Sequence, residues 1–396
     1  MILIDEAYRC LLCKSPKCKA NCPIDTQIPK VIELYRQEKY EEAGEVLFKN
    51  NPLSAICAIV CPHEDQCAGS CIRGIKGEPI KFHEIEKELS RKYLEENKFE
   101  NIPKTKDRIA IVGGGPAGIT IAFILAKKGY KITIFDSHER IGGVLRYGIP
   151  EYRLPKDLID RIEDRLIDLG VMIRPNTLIG PVISIDRLFK EGYKAIFIGT
   201  GVWNPKTLNI TGETLGNAHF AIDYLKSPHT YRLGERVAVI GAGNVAMDAA
   251  RTAKRNGAKE VTVIYRKGFE NMSATNKEIE ETKEDGVDFK LFRAPLEITE
   301  EGVILKNVET KEEEFFSCDS AIIAISQTPK TNIVSNTTRL ETDRAGLIVT
   351  DRKGNTTKKG VFGSGDVVTG AKTVVEAVAH AKIVAKTIEE YCERNS

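Results

Sequence analysis

Tyr40, Ala43, Val46 and Leu47 recur at three- and four-residue intervals, the spacing of an amphipathic helix, and the first hundred residues as a whole read as helical. Pro29 stands where a first helical residue tolerates it. Asn51-Pro52 reads as the cap and first turn of a further helix, and the charged stretch from Glu84 to Glu100 reads as a helix that leads, at Pro103, into a linker. At Arg108 the pattern changes. Ile109-Ala-Ile-Val112 is a short apolar run, glycines follow, and Ile119, Ala122, Phe123 and Ala126 then recur at helical spacing before Lys131-Ile-Thr-Ile-Phe135. That is a strand–helix–strand unit. It returns at Arg236-Val-Ala-Val-Ile240, through a helix with Met247 and Ala250, to Val261-Thr-Val-Ile-Tyr265. Ala195–Gly199 and Ala321–Ile325 are expected to close one unit each, and Pro295 to Thr310, broken at Glu300-Glu301-Gly302, reads as a hairpin on the second. The uncharged run from Ile109 to Ala126 has the length of a membrane span, but Gly113-Gly114-Gly115-Pro116 interrupts it, so strand, tight turn and helix describe it better.

A chain of 396 residues leads one to expect about two or three domains. The net charge of +2 carries no field suited to nucleic acid or a membrane surface. Met1-Ile-Leu-Ile-Asp5-Glu6 lacks the basic and apolar regions of a signal peptide, and a cytoplasmic protein is expected. The cysteines change the picture more. Eight of the ten lie between Cys10 and Cys71, which speaks for metal in a reducing compartment rather than for a disulfide scaffold.

Their spacing is Cys10-x2-Cys13-x4-Cys18-x3-Cys22-Pro23, then Cys57-x3-Cys61-Pro62 and Cys67-x3-Cys71. Eight thiolates suit two four-cysteine sites, and a cysteine before proline at the end of such a run serves the other cluster in bacterial ferredoxins. Structural zinc also takes four thiolates, but more often in repeated C-x2-C knuckles, of which one occurs here. Cys318 and Cys392 stand apart and read as ordinary packed or surface residues.

Gly113-x-Gly115-x-x-Gly118 follows a strand and opens a helix, so its backbone can approach a pyrophosphate and offer it helix N-terminal N–H groups. Asp136 ends the next strand, where it can accept ribose hydroxyls. Gly142-Gly143 follows, and near the C-terminus Gly360-Val-Phe-Gly-Ser-Gly-Asp366 precedes a helix expected to start near Thr373. Asp366 reads either as a holder of a flavin ribityl chain or as a turn cap. In the second loop, Gly241-x-Gly243-x-x-Ala246, alanine takes the third place, and the following strand ends at Tyr265-Arg266-Lys267 instead of at an acid. An acid there would repel a 2′-phosphate, whereas Arg266 and Lys267 can pair with it, with Arg251 on the intervening helix as a further candidate. NADP(H) is the expected nucleotide.

Over nearly its whole length the sequence resembles the family of the glutamate synthase small subunit and the N-terminal half of dihydropyrimidine dehydrogenase. The resemblance is carried by Cys10-Leu-Leu-Cys13, Ile149-Pro-Glu-Tyr-Arg-Leu-Pro155, Asn244-Val-Ala-Met-Asp248 and Tyr265-Arg-Lys-Gly-Phe269. It implies one 4Fe-4S cluster on Cys10, Cys13, Cys18 and Cys71 and a second on Cys22, Cys57, Cys61 and Cys67. It implies FAD at Gly113, Gly114, Gly115, Pro116, Ala117, Asp136, Gly142, Gly143, Val144, Arg153, Gly365, Asp366 and Thr373, and NADPH at Gly241, Ala242, Gly243, Asn244, Val245, Arg266 and Lys267. Three departures stand out. Cys57 completes a set that dihydropyrimidine dehydrogenase completes with glutamine, Ser273 falls where that enzyme has a basic residue able to assist the 2′-phosphate, and Asp136 stands where many relatives have glutamate.

The expected architecture is α/β: an α-helical iron–sulfur domain over 1–103, a Rossmann-like FAD domain over 104–228 and 336–396, and a Rossmann-like NAD(P)H domain over 229–335 inserted in it. The expected activity is NADPH oxidation, with hydride passing to FAD and single electrons leaving through the clusters to a partner subunit or ferredoxin-like acceptor. No side chain need act as acid or base in it. The competing expectations are a zinc-bearing adaptor with vestigial folds, a flavin reductase acting alone, and thioredoxin-reductase chemistry, which needs a C-x-x-C that is missing between Asp107 and Ser396.

Overall fold

A computed structural model describes residues 3–97 and 99–395. The chain opens with six helices, α1 (Leu3–Arg9), α2 (Lys17–Ala20), α3 (Ile28–Arg36), α4 (Tyr40–Asn50), α5 (Ser54–Val60) and α6 (Phe82–Glu96). A first set of strands and helices follows: β1 (Arg108–Val112), α7 (Pro116–Ala126), β2 (Lys131–Phe135), α8 (Val144–Tyr147), α9 (Lys156–Asp168), β3 (Met172–Arg174), α10 (Ile185–Lys190) and β4 (Tyr193–Ile198). Then come β5 (Asn204–Pro205), β6 (Ala218–Phe220), α11 (Ala221–Lys226), β7 (Arg236–Ile240), α12 (Asn244–Arg255), β8 (Glu260–Ile264), α13 (Asn276–Glu284) and β9 (Asp288–Lys290). The remainder is β10 (Arg293–Thr299), β11 (Gly302–Asn307), β12 (Glu313–Ser317), β13 (Ser320–Ile323), β14 (Gln327–Thr328), α14 (Asn332–Ser335), β15 (Val361–Gly363), α15 (Asp366–Thr369) and α16 (Val374–Arg394).

Two five-stranded sheets organise the chain. The first has the order β15-β4-β1-β2-β3 and the second β6-β13-β7-β8-β9, with every pairing parallel. Parallel strands covered on both faces read as unbroken apolar runs, which is why β1 and β7 are buried at every position after their first residue. Registers match at the carboxyl ends: Val112 lies level with Phe135 and Ile198, and Ile240 with Ile264 and Ile323. Each glycine loop therefore leaves its sheet at the crevice where such folds bind ligands. The hairpin expected over 295–310 is β10–β11, which β12 extends to three antiparallel strands.

The uncharged run ending at Ala126 is β1, the loop and α7. That helix is apolar nearly all round because it is buried nearly all round, with α16 packed along it. Phe123 of α7 meets Phe48 of α4 edge-on at 5.3 Å, and Phe48 also packs on Phe99 at 5.0 Å and on Tyr93 at 5.4 Å. Such pairs add about 0.5–1.5 kcal/mol each beyond burial. Together with the Arg91–Asp157 ion pair and the bond from Arg165 Nε to Leu94 O, they merge the N-terminal helices and the first sheet into one compact unit.

The second compact unit runs over Trp203–Thr328 with Arg146–Pro150, where 229–335 was expected, and the first holds the N-terminal helices together with the first sheet. The reason is pairing and packing: β6 joins the second sheet through Ala218 opposite Ala321, and Tyr224 of α11 shares a core with Met247 and Ala250 of α12. Ile333 and Leu340 belong to the core of the first sheet. Two helix boundaries also move. The helix expected at Asn51-Pro52 begins at Ser54, because Asn51 Oδ1 takes the Leu53 N–H and closes a turn before it, and the helix expected over 84–100 spans Phe82–Glu96.

Arg251 is the clearest correction. It is 5% exposed and its guanidinium bonds Glu278 at 3.3 Å, Glu281 at 2.6 Å and Asp285 at 2.9 Å, so it fastens α12 to α13 and its charge is not available to a nucleotide phosphate. Burial raises the Asp285 carboxyl, but the bonds from Arg251 and Arg255 outweigh it and hold it below its ordinary value. Arg251→Ala is expected to destabilise the protein by about 3 kcal/mol, the low end for a broken buried pair because Glu281 and Asp285 reach water. A depressed carboxyl stabilises above its unfolded value, 3.8, and that share is lost as pH falls through the folded one, so in chemical denaturation the Asp285 part of the deficit should shrink there. Preference between nicotinamide nucleotides should stay unchanged in this variant.

Candidate functional site

The eight N-terminal cysteines are all reduced and sit at helix ends and in the loops between them. Cys10 follows α1, Cys18 lies in α2, Cys57 lies in α5 and Cys61 caps it, and Cys71 precedes a short turn of helix at Ile72–Ile75. Cys10, Cys13, Cys18, Cys67 and Cys71 line one hollow whose other walls include Ile28, Ile32, Ile80 and Phe82. Burial pushes the Cys18 thiol up to about 11, and Cys71, Cys10 and Cys13 push it the same way. Burial likewise raises Cys10, against the Leu12 N–H and Arg36, with Cys13 and Cys71 adding to the rise.

A second group lies beside the first. A bond with Cys57 holds the Cys61 thiol well above its ordinary value, with burial, Glu86 and Cys67 acting in the same sense. Burial pushes Cys67 up to about 12, followed by Glu86, Cys22 and Cys18. These interactions run from Cys18 to Cys10, Cys13 and Cys71, from Cys61 to Cys57 and Cys67, and from Cys67 to Cys22 and Cys18, so Cys18 and Cys67 join the two groups.

Thiols gathered so closely, with Cys10, Cys18, Cys61 and Cys67 all held above their ordinary values, lose their protons together only against a compensating positive group. One zinc ion would draw its sulfurs to about 2.3 Å from a single point. A polynuclear iron–sulfur group spreads its ligands around a larger body, and eight cysteines suffice for two four-thiolate shells. Thr26 Oγ1 already lies 3.3 Å from Cys22 Sγ, the kind of contact that cluster sulfurs accept. The thiol sets fit the group.

Glu86 is a residue that spacing arguments passed over. It lies on the buried face of α6 with Phe82, Ile85 and Leu89, and burial alone pushes its carboxyl up to about 8. It acts on both Cys61 and Cys67, so the second set has a carboxylate among its thiols. The signal was available: an acid at a core position of an amphipathic helix.

In the first sheet the glycine loop is held from three sides. Gly113 N donates to Phe135 O, Gly114 N donates to Asp136 Oδ2 at 2.7 Å, and Gly142 N donates to Gly114 O at 2.7 Å. Gly113 has φ +99°, and a Cβ on it would lie 2.6 Å from Gly199 O, so glycine is required for the turn. Gly143 stacks on Gly115, and Gly365 lies against Ala117, so Gly113 to Ala117, Asp136, Gly142, Gly143 and Gly365 converge at the ends of β1, β4 and β15. Val144 opens α8 directly after this group, and Arg153 lies in the turn before α9. Asp366 opens α15, where it accepts the Lys372 N–H, and burial pushes its carboxyl up to about 6. The Thr373 hydroxyl is committed to its own helix: it bonds Glu376 in a capping box.

α7 and α12 begin differently from α16. Gly115 and Gly243 cap them without a side-chain bond, so first-turn N–H groups are left for an anion. In the second loop Gly241 N donates to Ile264 O, while the Ser273 and Ala274 N–H groups bond Ala242 O and Thr275 N bonds Asn244 Oδ1, which holds Gly241 to Val245 as one turn. Arg266 and Lys267 follow β8, exposed, and among the described residues neither forms an ion pair. Ser273 Oγ would lie 3.2 Å from a Cβ on Gly243, so the residue at that departure from the family pattern stands next to the loop. Cys318 and Cys392, 1% exposed each, are packed residues.

Comparison with known proteins agrees with this geometry. Residues 72–191 and 107–381 match the family model described as pyridine nucleotide-disulphide oxidoreductase, and residues 2–98 match the one described as dihydropyrimidine dehydrogenase domain II, 4Fe-4S cluster. The glutamate synthase [NADPH] small chain of Escherichia coli is 30% identical, with 98% of this chain and 91% of that one covered. The NAD-dependent dihydropyrimidine dehydrogenase subunit PreT of the same organism is also 30% identical, with 99% and 95% covered. Among solved structures, Mycobacterium tuberculosis FprA in complex with NADPH shares the fold with a TM-score of 0.62 at 18% identity, covering 73% of this chain and 85% of that one. T. acidophilum thioredoxin reductase shares it with a TM-score of 0.58 at 23% identity, covering 74% of this chain and 100% of that one. The chain belongs to the pyridine nucleotide-disulphide oxidoreductase family, in the branch of the glutamate synthase small chain that carries an N-terminal 4Fe-4S domain.

Proposed function

We propose that this chain oxidises NADPH and passes the electrons through two 4Fe-4S clusters to a partner protein. The observation that supports the reading is the gathering of eight thiols among the N-terminal helices, with Cys10, Cys13, Cys18, Cys67 and Cys71 around one hollow and Cys57 and Cys67 acting on Cys61. Bound FAD would take hydride from NADPH and release electrons singly, and the clusters would conduct them.

The chain's own contribution is positioning. The first-turn N–H groups of α7 bind a pyrophosphate, Asp136 meets the adjacent ribose while its carboxylate fixes Gly114, and Gly365 and Asp366 border the same crevice. α12 binds the second pyrophosphate in the same way, and Arg266 and Lys267 take the 2′-phosphate. Cys10, Cys13, Cys18 and Cys71 hold one cluster and Cys22, Cys57, Cys61 and Cys67 the other. Leu11 and Ile72 wall the first hollow and are 55% and 42% exposed, with exposed Lys14, Lys17, Arg73 and Lys76 around them. An electron-accepting protein with an acidic face suits that surface.

The relatives use both nucleotides by name, so the basic pair decides the choice. Arg266→Ala should raise KM for NADPH about tenfold or more, the worth of a charge-assisted hydrogen bond, and leave KM for NADH nearly unchanged. Equal effects on both would remove Arg266 from the phosphate site.

Cys67→Ser and Cys71→Ser are expected to take out different clusters, each losing about half of the iron. Both should keep NADPH oxidation by a dye that meets the flavin directly and lose turnover with the partner. Flavin content must be measured in each, because cluster binding energy is partly folding energy. Undiminished partner turnover would mean that the flavin serves the acceptor alone.

A further inference from the structure

Lys382 lies on α16, a little over two turns beyond the capping box that starts the helix, and points away from the flavin end toward the N-terminal helices. Its ammonium donates to Asn50 Oδ1 at 2.6 Å. Asn50 ends α4, and its amide nitrogen donates to Ile24 O at 3.1 Å and to Thr26 Oγ1 at 3.4 Å. Thr26 is 4% exposed, and its hydroxyl oxygen lies 3.3 Å from Cys22 Sγ.

The chemistry of these groups sets the direction of every bond. An ammonium has three donors and no acceptor, so the Asn50 oxygen must face Lys382 and the amide N–H groups must face Thr26 and Ile24. Once its oxygen accepts from Asn50, the single O–H of Thr26 is free to point at Cys22. A thiolate on iron can only accept. The result is a directed row of donors, Lys382 to Asn50 to Thr26 to Cys22, that ends in an O–H···S bond and has a positive charge behind it. Burial lowers the Lys382 pKa, while Cys22 and Asp25 act to raise it, so the charge is held near the sulfur at a desolvation cost. Asp25 is exposed and Glu86 lies on the other side of the set, beside Cys61 and Cys67; both oppose the effect of Lys382.

We propose that Lys382 is a positioning residue for electron transfer: through Asn50 and Thr26 it raises the reduction potential of the cluster bound by Cys22. Added positive charge and hydrogen bonds to sulfur stabilise the reduced, more negative cluster. This rests on the reading that Cys22 ligates iron.

The test is a redox titration of the purified holoprotein followed by electron paramagnetic resonance, with iron and flavin counted in every sample. Lys382→Met should lower the midpoint potential of one cluster and leave the other unmoved, and Lys382→Arg should return most of the shift. Thr26→Val should lower the same midpoint, and Thr26→Ser should not. If Lys382→Met loses iron, the Thr26 pair decides. Unmoved potentials in iron-replete Lys382→Met, or in Thr26→Val where the former loses iron, overturn the proposal. Absence of iron–sulfur signals from the unmodified protein would instead overturn the cluster reading beneath it.

Discussion

Repulsion among closely gathered thiolates is the constraint on which the N-terminal quarter depends. Neighbouring cysteines make ionisation harder at Cys10, Cys18, Cys61 and Cys67, and burial acts in the same sense at each. Such an arrangement is poor as a protein core and good as a ligand shell, since iron supplies the charge that lets all the thiols ionise. The helices that carry Cys18 and Cys57 are short, and α2 buries none of its residues. Metal binding is then part of folding there.

The two parallel sheets solve one geometrical problem twice. Level strand ends deliver a glycine turn and an uncapped helix start to the same crevice, and what differs is the residue after the second strand. Asp136 is tied back to the loop it faces, whereas Arg266 and Lys267 project without carboxylate partners among the described residues.

Much of this was legible from residue order alone. Apolar runs next to glycine turns mark parallel strands and helix starts because both depend on local backbone chemistry, and β1, α7, β2, β7, α12 and β8 fall where the pattern puts them. Sequence-distant relations were not legible. Arg251 looked like a phosphate ligand because the three carboxylates that hold it lie 27 to 34 residues further on, on another helix. The unit boundary at Trp203 depends on β6 pairing with β13 about a hundred residues away, and the fusion of the helical quarter with the first sheet depends on Phe48 finding Phe123. Glu86 was visible as an acid in an apolar stripe, but its place beside Cys61 and Cys67 exists only in the fold.

Cys22 lies near Lys382 of α16, and Leu11 and Ile72 form an exposed apolar rim on the hollow lined by Cys10. The central claim is that the thiols hold iron and sulfide. The most direct measurement is a count of iron, acid-labile sulfide, zinc and FAD on protein purified without oxygen. Two clusters and one flavin predict about eight irons and about eight sulfides per FAD. Stoichiometric zinc, with neither iron nor sulfide, would contradict the account.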